Sequence, residues 1–397
     1  MAKKVVLAGA CRTAIGTMGG GLSTVPAADL GSIVIKEALK RTNVPADQVD
    51  EVLMGCVIQA GLGQNVARQA SINAGLPIEV PAVTINVVCG SGLNCVNLAA
   101  TKILAGEADI VIAGGMENMS LAPFCLDKAR FGYRMNNGVL KDCMVNDALT
   151  DAFNQYHMGI TAENIVKNYG VTREEMDRMA YESNMKAAKA QKEGKLAPSI
   201  IPVTVVDKDG NEKVVTEDEG IRPTTTMETL AGLKPCFIPA EEGGTVTAAT
   251  SSQTSDAAAF VVLMAADKAK ELGIKPIAKM VSFGVAGCDA TMMGLGPIYA
   301  VPKALKRAGK TIDDMDVIEL NEAFAAQAIP CIKVLKMNPE KVNPYGGAMA
   351  LGHPMGATGA FLTCKALDYL QDNKKTTALV TMCIGGGMGA AAVFELL

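Results

Sequence analysis

The sequence predicts an α/β protein of five layers, α/β/α/β/α, made of two similar halves and an inserted loop domain. Three observations support this fold class. Several short segments recur late in the chain, helix-like and strand-like segments alternate in each copy, and a central stretch differs from both. Because such alternation favours parallel sheets covered by helices, two packed halves would give the five layers.

The repeat rests on several features with matched spacing. Each copy has an amphipathic helix, a pair of aspartates, an apolar strand, a second helix rich in Ala and Leu, and a buried strand ending in glycines. The matched pairs are Glu37–Arg41 with Lys303–Arg307, Asp47 with Asp313, Asp50 with Asp316 and, after a one-residue slip, Ser91 with Thr358. The alternative is chance similarity between amphipathic segments.

The two halves are interrupted by a stretch of polar helices and scattered Pro and Thr residues. A polar helix is predicted over residues 172–193 and a turn at Lys208–Gly210. We expect the first half to comprise residues 1–119 and 247–272, the inserted loop domain residues 120–246, and the second half residues 273–397. Long insertions of this kind often carry substrate contacts.

Composition excludes several functional classes. A net charge of −4 with no basic stripe argues against nucleic-acid binding, and the apolar runs are too short to span a membrane. The chain enters a strand at Val5–Ala10 without a signal-like segment and has no C-terminal targeting tripeptide, so we expect a cytoplasmic protein. Eleven cysteines without framework spacing indicate reduced thiols, and two histidines without a Cys-x-x-Cys pair argue against a metal site.

Cys89 is the first candidate for chemistry. It follows the apolar stretch 83–88, predicted as a strand, and opens a helix through Gly90, Ser91 and Gly92. Unpaired N–H groups and the helix dipole at such a position lower a thiol pKa and favour the nucleophilic thiolate. The alternative is a small core thiol, which is the fate of most cysteines.

A second cysteine, Cys383, stands at the end of an apolar strand and is followed by Ile384 and the glycines 385–387. Backbone N–H groups in this segment could point at an oxyanion. The alternative is a glycine-rich turn, whereas no Lys-Ser/Thr follows, as a P-loop would require.

His353 and Asn321 complete the candidate set. His353 lies just before a proline and a glycine-spaced helix start, and Asn321 and Glu322 follow a buried strand. A lone histidine is more often a packed or surface residue than a catalyst. Here, equivalent strand ends of the two halves would bring His353, Asn321, Cys89 and Cys383 together.

These segments together resemble the motifs of the thiolase family, and the resemblance covers essentially the whole chain. The matching segments are Asn86–Gly92, Asn321–Ala325, Gly346–Pro354 and Cys383–Gly387. The resemblance implies the duplicated thiolase fold with its inserted loop domain, which agrees with the repeat.

The resemblance also implies roles for the candidate residues. Cys89 would form an acyl-enzyme, and His353 would activate it and help to bind the thioester oxygen together with a water held by Asn321. Cys383 would move the proton to or from the substrate α-carbon. A second oxyanion hole would come from the backbone N–H groups of Cys89 and Gly385, and Glu322 would position the site through hydrogen bonds.

Coenzyme A is implied as a substrate, with no permanently bound cofactor and no metal. Positions matching the family's CoA and acyl contacts are Leu149, His157, Met158, Arg222, Phe237, Ala248, Ser252, Met293, Ala323 and Phe324. Met293 and Phe324 would line the acyl pocket. Arg222 suits an adenine ring or a phosphate, although it could be a solvated surface side chain.

The expected reaction is the reversible conversion of two acetyl-CoA into acetoacetyl-CoA and CoA, a step of fatty acid metabolism. Met116–Ser120 and Tyr156–Gly159 resemble short-chain acetyl-CoA acetyltransferases, whereas Ala249–Ala257 and Lys341–Pro344 resemble degradative 3-ketoacyl-CoA thiolases. A degradative thiolase of broader chain length is therefore an alternative. Where the family usually has Arg, this chain has Phe361.

The sequence argues against two other classes of protein. A decarboxylating ketoacyl synthase generally lacks the second cysteine, so Cys383 argues against it. A non-catalytic acyl-CoA binding protein would be expected to lose Cys89, His353 or Cys383, and all three are present. The family resemblance further implies a homodimer or a homotetramer, the latter formed through a loop near Pro123–Lys141.

Overall fold

The computed structural model describes residues 4–206 and 210–397. The predicted turn at Lys208–Gly210 therefore lies largely outside the described residues. The elements up to the insertion are β1 Val5–Thr13, β2 Gly16–Thr17, α1 Ala27–Thr42, β3 Glu51–Gly55, α2 Val66–Asn73, β4 Ala82–Ile85, α3 Ser91–Ala105 and β5 Ile110–Asn118.

The middle of the chain contains short strands and polar helices. Its elements are β6 Phe124–Cys125, β7 Lys141–Asp142, α4 Met158–Tyr169, α5 Arg173–Lys192, β8 Ile200–Ile201, β9 Val203–Val206, β10 Glu212–Val215 and α6 Met227–Ala231. The polar helix predicted over 172–193 is α5. Thr172 caps it, and Glu175 reaches back to the Thr172 backbone N–H in a capping box.

The remaining elements return to long strands and buried helices. They are β11 Ser255–Ala265, α7 Ala266–Glu271, β12 Ala278–Gly287, α8 Gly296–Ala308, β13 Val317–Leu320, α9 Ala325–Val334, α10 Ala348–Leu351, α11 Thr358–Asn373, β14 Thr377–Ile384 and β15 Met388–Leu396. Within the described ranges, no helix is long and apolar enough to cross a membrane.

The main sheet shows the duplication in its strand order, which runs β4-β3-β5-β11-β1-β12-β15-β14-β13. Reading outward from the centre, β1 corresponds to β12, β11 to β15, β5 to β14 and β3 to β13. The two half-sheets meet at β1 and β12, which pair only through Val6 with Lys279 and Leu7 with Ala278. The order is therefore that of two similar sheets joined at one edge.

The expectation of parallel sheets was only partly right. The outer strands β3, β4 and β5 are parallel to one another, as are β13 and β14, but the central strands are antiparallel. In the second half, the antiparallel pairing of β14 and β15 results from the short turn between them. Strand β15 follows β14 after the three glycines 385–387, which allow a tight turn with positive φ at Gly386 and Gly387.

Helices form the other three layers. Helices α3 and α11 pack against each other between the half-sheets, inside an apolar core that includes Leu93, Val96, Phe361 and Leu362. Helices α1 and α2 cover the outer face of the first half, and α8 covers that of the second. The five predicted layers are thus present.

Asp50 and Asp316, which the repeat pairs, make the same contacts in the two halves. Asp50 Oδ2 accepts hydrogen bonds from the N–H groups of Asp109 and Ile110 at 2.7 and 2.9 Å. Asp316 Oδ2 accepts those of Thr376 and Thr377, both at 3.0 Å. Asp50 thus holds the start of β5, and Asp316 holds the start of β14. These equivalent contacts confirm the alignment of the two halves and its one-residue slip.

A buried ion pair connects the insertion to the first half. Arg12, on β1, lies 2.7 and 2.9 Å from the two carboxylate oxygens of Asp218, and both side chains are buried. The Arg12 guanidinium also stacks 4.8 Å from the ring centroid of Phe361 on α11. Residues from three parts of the chain therefore meet at this point.

Candidate active site

One cavity of about 730 Å³ opens on the face where the insertion covers both halves. Cys89, His353 and all of the residues matched to CoA or acyl contacts lie in its wall. Those contact residues are Leu149, His157, Met158, Arg222, Phe237, Ala248, Ser252, Met293, Ala323 and Phe324. Asn321, Cys383 and Gly385 are outside this wall but adjoin it, Asn321 beside His353 and the other two beside Cys89. The structure thus brings the candidate residues to one place.

Cys89 is presented by a strained turn. The predicted strand 83–88 ends earlier than expected, since β4 stops at Ile85. Val88 then adopts a φ of 45°, which is costly for a β-branched residue, by about 1–3 kcal/mol. Ser91 holds the turn closed: its Oγ accepts the Val87 N–H and donates to the Val88 carbonyl. This turn places Cys89 two residues before the first residue of α3.

The pKa of Cys89 differs from the sequence expectation. Burial raises the pKa of the thiol to about 11, although the N–H groups of Gly385 and Cys89 itself act in the opposite direction. The sulfur sits among Val57, Met119 and other apolar side chains, and only 6% of Cys89 is exposed. The prediction of a lowered pKa was therefore wrong for the resting site, because desolvation outweighs the helix N-terminus.

His353 is held in one orientation and is neutral. Its Nδ1 lies 2.6 Å from Thr358 Oγ1, and that hydroxyl donates to the Pro354 carbonyl at 2.9 Å. The hydroxyl therefore accepts the Nδ1 proton, which leaves the lone pair on Nε2. Burial lowers the pKa of His353 to about 4. A neutral imidazole with an unprotonated Nε2 can accept a proton at neutral pH.

Asn321 lies beside this imidazole. Its Nδ2 is 3.4 Å from His353 Nε2, and its backbone N–H donates to the Thr381 carbonyl at 3.0 Å. The buried Oδ1 has no hydrogen-bond partner among the described residues. This amide oxygen is therefore an acceptor that a water or a ligand can satisfy.

Cys383 and Gly385 come from the end of β14. Cys383 is fully buried, and burial together with the nearby Cys89 raises its pKa well above the usual thiol value. The Gly385 N–H faces the sulfur of Cys89. A Cβ on Gly385 would lie 2.8 Å from Met158 Cε and 3.1 Å from Val88 Cγ1, so a larger residue would require these side chains to shift.

Aromatic side chains form one wall of the cavity. The His157 ring stacks on Phe237 at 4.8 Å, and Phe237 meets Phe324 edge to face at 6.0 Å. His157 Nδ1 accepts the Gly159 N–H, and burial lowers the pKa of His157. Arg222 is exposed at the cavity mouth, where its backbone N–H donates to Asn184. The deep end is thus apolar and the mouth is charged.

Glu322 does not reach the cavity. The residue is 3% exposed, and its carboxylate accepts hydrogen bonds from Ser183 at 2.6 Å and from Asn343 at 2.8 Å. These contacts join α5 of the insertion to the loop after β13. Glu322 therefore supports the segment that carries Asn321, in line with the positioning role expected for it.

Sequence reasoning missed several residues. Thr358 was matched only as a helix start, although its hydroxyl orients His353. Met355 and Gln253 line the cavity without having been singled out. Glu117 is a fully buried carboxylate near Cys89 and His353. In the sequence, Glu117 could be noticed only as a charged residue in an otherwise apolar strand.

Among residues 4–206 and 210–397, no group of His, Cys, Asp or Glu side chains is arranged to hold a metal ion. All eleven cysteines are free thiols. The candidate residues present two thiols, one neutral imidazole and backbone N–H groups that face the sulfur of Cys89.

Comparisons with known proteins agree along the whole chain. The model described as "Thiolase, N-terminal domain" matches residues 5–267, and "Thiolase, C-terminal domain" matches residues 274–396. An acetyl-CoA acetyltransferase of Syntrophomonas wolfei subsp. wolfei (strain DSM 2245B / Goettingen) is 54% identical over 403 residues, covering 100% of both chains.

Two further relatives have similar coverage. A probable acetyl-CoA acyltransferase of Staphylococcus aureus (strain NCTC 8325 / PS 47) is 50% identical over 390 residues, or 98% of each chain. The crystal structure of the Bacillus anthracis acetyl-CoA acetyltransferase superposes with a TM-score of 0.97 at 40% identity, covering 100% of this chain and 99% of that one.

Proposed function

Since the chain belongs to the thiolase family, we propose that it is an acyltransferase that interconverts two acetyl-CoA with acetoacetyl-CoA and CoA. One observation carries this proposal. Cys89, whose thiol faces two backbone N–H groups, and the neutral imidazole of His353 line one cavity, and the second thiol, Cys383, is buried close to Cys89. Acyl transfer between a thioester and a carbon atom needs such a nucleophile, base and acid.

In the cleavage direction, the first step forms a carbon–sulfur bond and breaks a carbon–carbon bond. Cys89 passes its proton to His353 Nε2 and attacks the 3-keto carbon, and the N–H groups of Cys89 and Gly385 stabilise the oxyanion. The bond between the 2- and 3-carbons then breaks. The carbanion takes its proton from Cys383, which yields acetyl-CoA and an acetylated Cys89.

The second step releases the acetyl group. The proton held by His353 returns to Cys383, and His353 then accepts the thiol proton of CoA. The CoA thiolate attacks the acetyl carbon, and Cys89 leaves and regains its proton from His353. Asn321 binds a water that joins His353 in stabilising the thioester oxygen. The high pKa of Cys383 supports its use as a protonated acid in the first step.

We propose that CoA enters along the wall formed by Leu149, His157, Met158, Phe237, Ala248 and Ser252, with Arg222 at its adenine and phosphate end. The acyl group would occupy the end bounded by Met293, Ala323 and Phe324. These side chains are nearly buried and crowd that end, which supports short acyl chains. A broader chain-length range is the second candidate, and it is supported by the "acyltransferase" named among the relatives.

The compartment, the metabolic role, the domain bounds and the oligomeric state are also proposals. We propose a cytoplasmic enzyme of fatty acid metabolism that uses CoA as a substrate, without a bound cofactor; the free thiols favour a reducing compartment. Domain bounds of 1–119 with 247–272, 120–246 and 273–397 follow the repeat. A homodimer or homotetramer is supported by exposed apolar side chains on the loop near Pro123–Lys141, among them Phe131, Met135 and Val139.

The test is thiolysis of acetoacetyl-CoA by purified protein with free CoA. Wild type should release acetyl-CoA, and Cys89→Ala should lose at least about a thousandfold in rate because no acyl-enzyme can form. Mass spectrometry after acetyl-CoA exposure should find the acetyl group on Cys89. Equal rates for wild type and Cys89→Ala would end the proposal.

Two further measurements separate the alternatives. Cys383→Ala should still exchange acetyl groups between CoA molecules but should not condense them, since only condensation removes an α-proton. A 3-ketoacyl-CoA with a longer chain should be cleaved more slowly than acetoacetyl-CoA. Comparable rates would favour the degradative candidate, and CoA binding without turnover would favour a binding protein.

A further inference from the structure

We infer that Glu117 is a positioning residue, which fixes the turn carrying His353 against the loop carrying Cys89. This inference rests on the proposed function and concerns the same site. Glu117 lies near the end of β5, is fully buried, and is separated from the cavity by other residues. It can therefore affect the reaction through the groups that it holds and through its charge, but not by touching the substrate.

The carboxylate of Glu117 joins the two halves. Its Oε2 accepts the N–H of Gly356 at 2.8 Å and that of Val57 at 3.0 Å, and its Oε1 accepts the N–H of Ile58 at 3.1 Å. Gly356 belongs to the second half and follows His353 by three residues. The Cys56 thiol also donates to Oε1 at 3.8 Å, so all four partners are donors, which an ionised carboxylate accepts without presenting a donor of its own. Burial raises the pKa of this carboxyl, whereas the same hydrogen bonds act in the opposite direction.

We call the hydrogen bonds of Glu117 to Val57, Ile58 and Gly356 the Glu117 joint. On each side of this joint, further hydrogen bonds lead to a reacting group. The Val57 carbonyl accepts the Asn86 amide, and Asn86 Oδ1 accepts the Val88 N–H, directly before Cys89. On the other side, Pro354 accepts the N–H groups of Ala357 and Thr358 in the turn that contains Gly356. A shift at Glu117 would therefore move the thiol and the imidazole relative to each other.

The Gly356 carbonyl shows how tightly this joint is built. It sits in a socket formed by three glycines of the first half, which we call the glycine socket: Gly55, Gly92 and Gly115. A Cβ on Gly115 would lie 1.9 Å from the carbonyl oxygen, one on Gly55 2.5 Å and one on Gly92 2.8 Å. The peptide of Gly356 is thus fixed at both its N–H and its carbonyl.

The repeat gives an independent reason to separate this role from folding. The offset that aligns Ser91 with Thr358 also aligns Cys89 with Gly356 and Glu117 with Ile384. Ile384 packs on the Cys89 loop through apolar contact, since its Cδ1 would lie 2.3 Å from a Cβ on Gly90. The fold therefore accepts an apolar residue at this position, and the carboxylate serves the half that holds His353.

The first experiment compares Glu117→Gln with wild type in thiolysis of acetoacetyl-CoA. The amide group of Gln has the same shape, but its NH₂ would face a backbone N–H, so that two donors meet and one hydrogen bond is lost. We therefore expect kcat to fall about 10- to 100-fold. The KM for CoA should stay within about twofold, because the CoA wall is elsewhere. Asp50→Asn is the matched control: it removes a carboxylate that accepts two N–H groups at the other end of β5, and its kcat should match wild type.

A second readout distinguishes positioning from general damage. Burial is the main cause of the raised pKa of Cys89, and the charge on Glu117 adds to it. In Glu117→Gln, alkylation of Cys89 by iodoacetamide, followed peptide by peptide, should therefore titrate at lower pH than in wild type. Gly356→Ala strains the same joint but keeps the charge, so it should lower kcat without changing the alkylation profile. A Cβ there would lie 2.9 Å from Glu117 Oε2.

The double variant completes the test. If Glu117 acts through His353, then Glu117→Gln in a His353→Ala background should leave the already reduced kcat unchanged. Independent losses that multiply, or a Glu117→Gln enzyme with wild-type kcat, would overturn the inference. An inactive wild type would instead reject the proposed function. If Glu117→Gln does not fold, Gly356→Ala with wild-type kcat would reject the inference.

Discussion

At the residue scale, the protonation state of His353 has a direct spectroscopic consequence. The chain has only two histidines, and burial lowers the pKa of both, that of His353 to about 4. Histidine NMR resonances should therefore both titrate below the ordinary value of about 6.5, and the resonance that remains in His157→Gln should have its midpoint near pH 4. A midpoint above 6.5 for that resonance would contradict the neutral base.

The residues of the site were predictable as chemical types but not as ionisation states. Cys89, His353 and Cys383 stand beside glycines or at strand ends, and such local patterns are visible in the sequence. The pKa of Cys89 depends on the apolar side chains packed around the sulfur, including Met119 and Met355. Those residues are distant in sequence, so local pattern could not show that burial outweighs the helix N-terminus.

At the element scale, Asp316 fixes the start of β14 and should be measurable as stability. Burial raises its pKa, but hydrogen bonds from Thr376 and Thr377 outweigh burial and lower the pKa to about 2. Replacement by Asn should reduce the free energy of unfolding by about 1–3 kcal/mol at neutral pH. Calorimetry should show the apparent Tm lowered by a few degrees, and Asp50→Asn should act similarly.

The sign of the pH dependence follows from the lowered pKa. A carboxylate whose pKa is lower in the folded state stabilises the fold above its unfolded pKa of about 4. That contribution is lost as the pH falls from about 4 towards 2. The difference between wild type and Asp316→Asn should therefore shrink on acidification in this range. A difference that grows instead would contradict the hydrogen-bonding role of Asp316.

Elements themselves were well predicted where patterns were strong. The strand at Val5, the polar helix α5 and the helices after Ser91 and Thr358 all occur. The direction of the central strands was not predictable, because nothing in β11 or β15 distinguishes antiparallel from parallel neighbours when both faces are buried. The early end of β4 was also missed, since Val87 and Val88 are apolar but serve the turn before Cys89.

At the scale of the whole molecule, the Arg12–Asp218 pair should control how firmly the insertion is held. Asp218→Asn leaves the buried guanidinium without its counter-charge, which costs about 3–5 kcal/mol for such pairs. Glu219 and Arg222 follow closely and line the cavity mouth. We expect faster limited proteolysis within the insertion and a raised KM for CoA.

An exposed ion pair provides the control for this prediction. Glu174 and Arg178 lie 3.3 Å apart on α5, with side chains 78% and 59% exposed, so Glu174→Gln should change little. Equal proteolysis of Asp218→Asn and wild type would show that other contacts hold the insertion. The overall architecture was predictable because the repeat is strong, whereas this contact joins positions about 200 residues apart and left no local signal.

The strand order also determines when the main sheet can form during synthesis of the chain. Strand β1 is among the first segments to be synthesised, yet its partners β11 and β12 begin at Ser255 and Ala278. At about 5–20 residues per second, a ribosome needs roughly 10 to 50 s to make the intervening chain. During that interval the Val5–Thr13 segment lacks both of its long strand partners and has only α1 and, later, the two-residue strand β8 beside it, so yield in a host should depend on how well nascent strands are shielded.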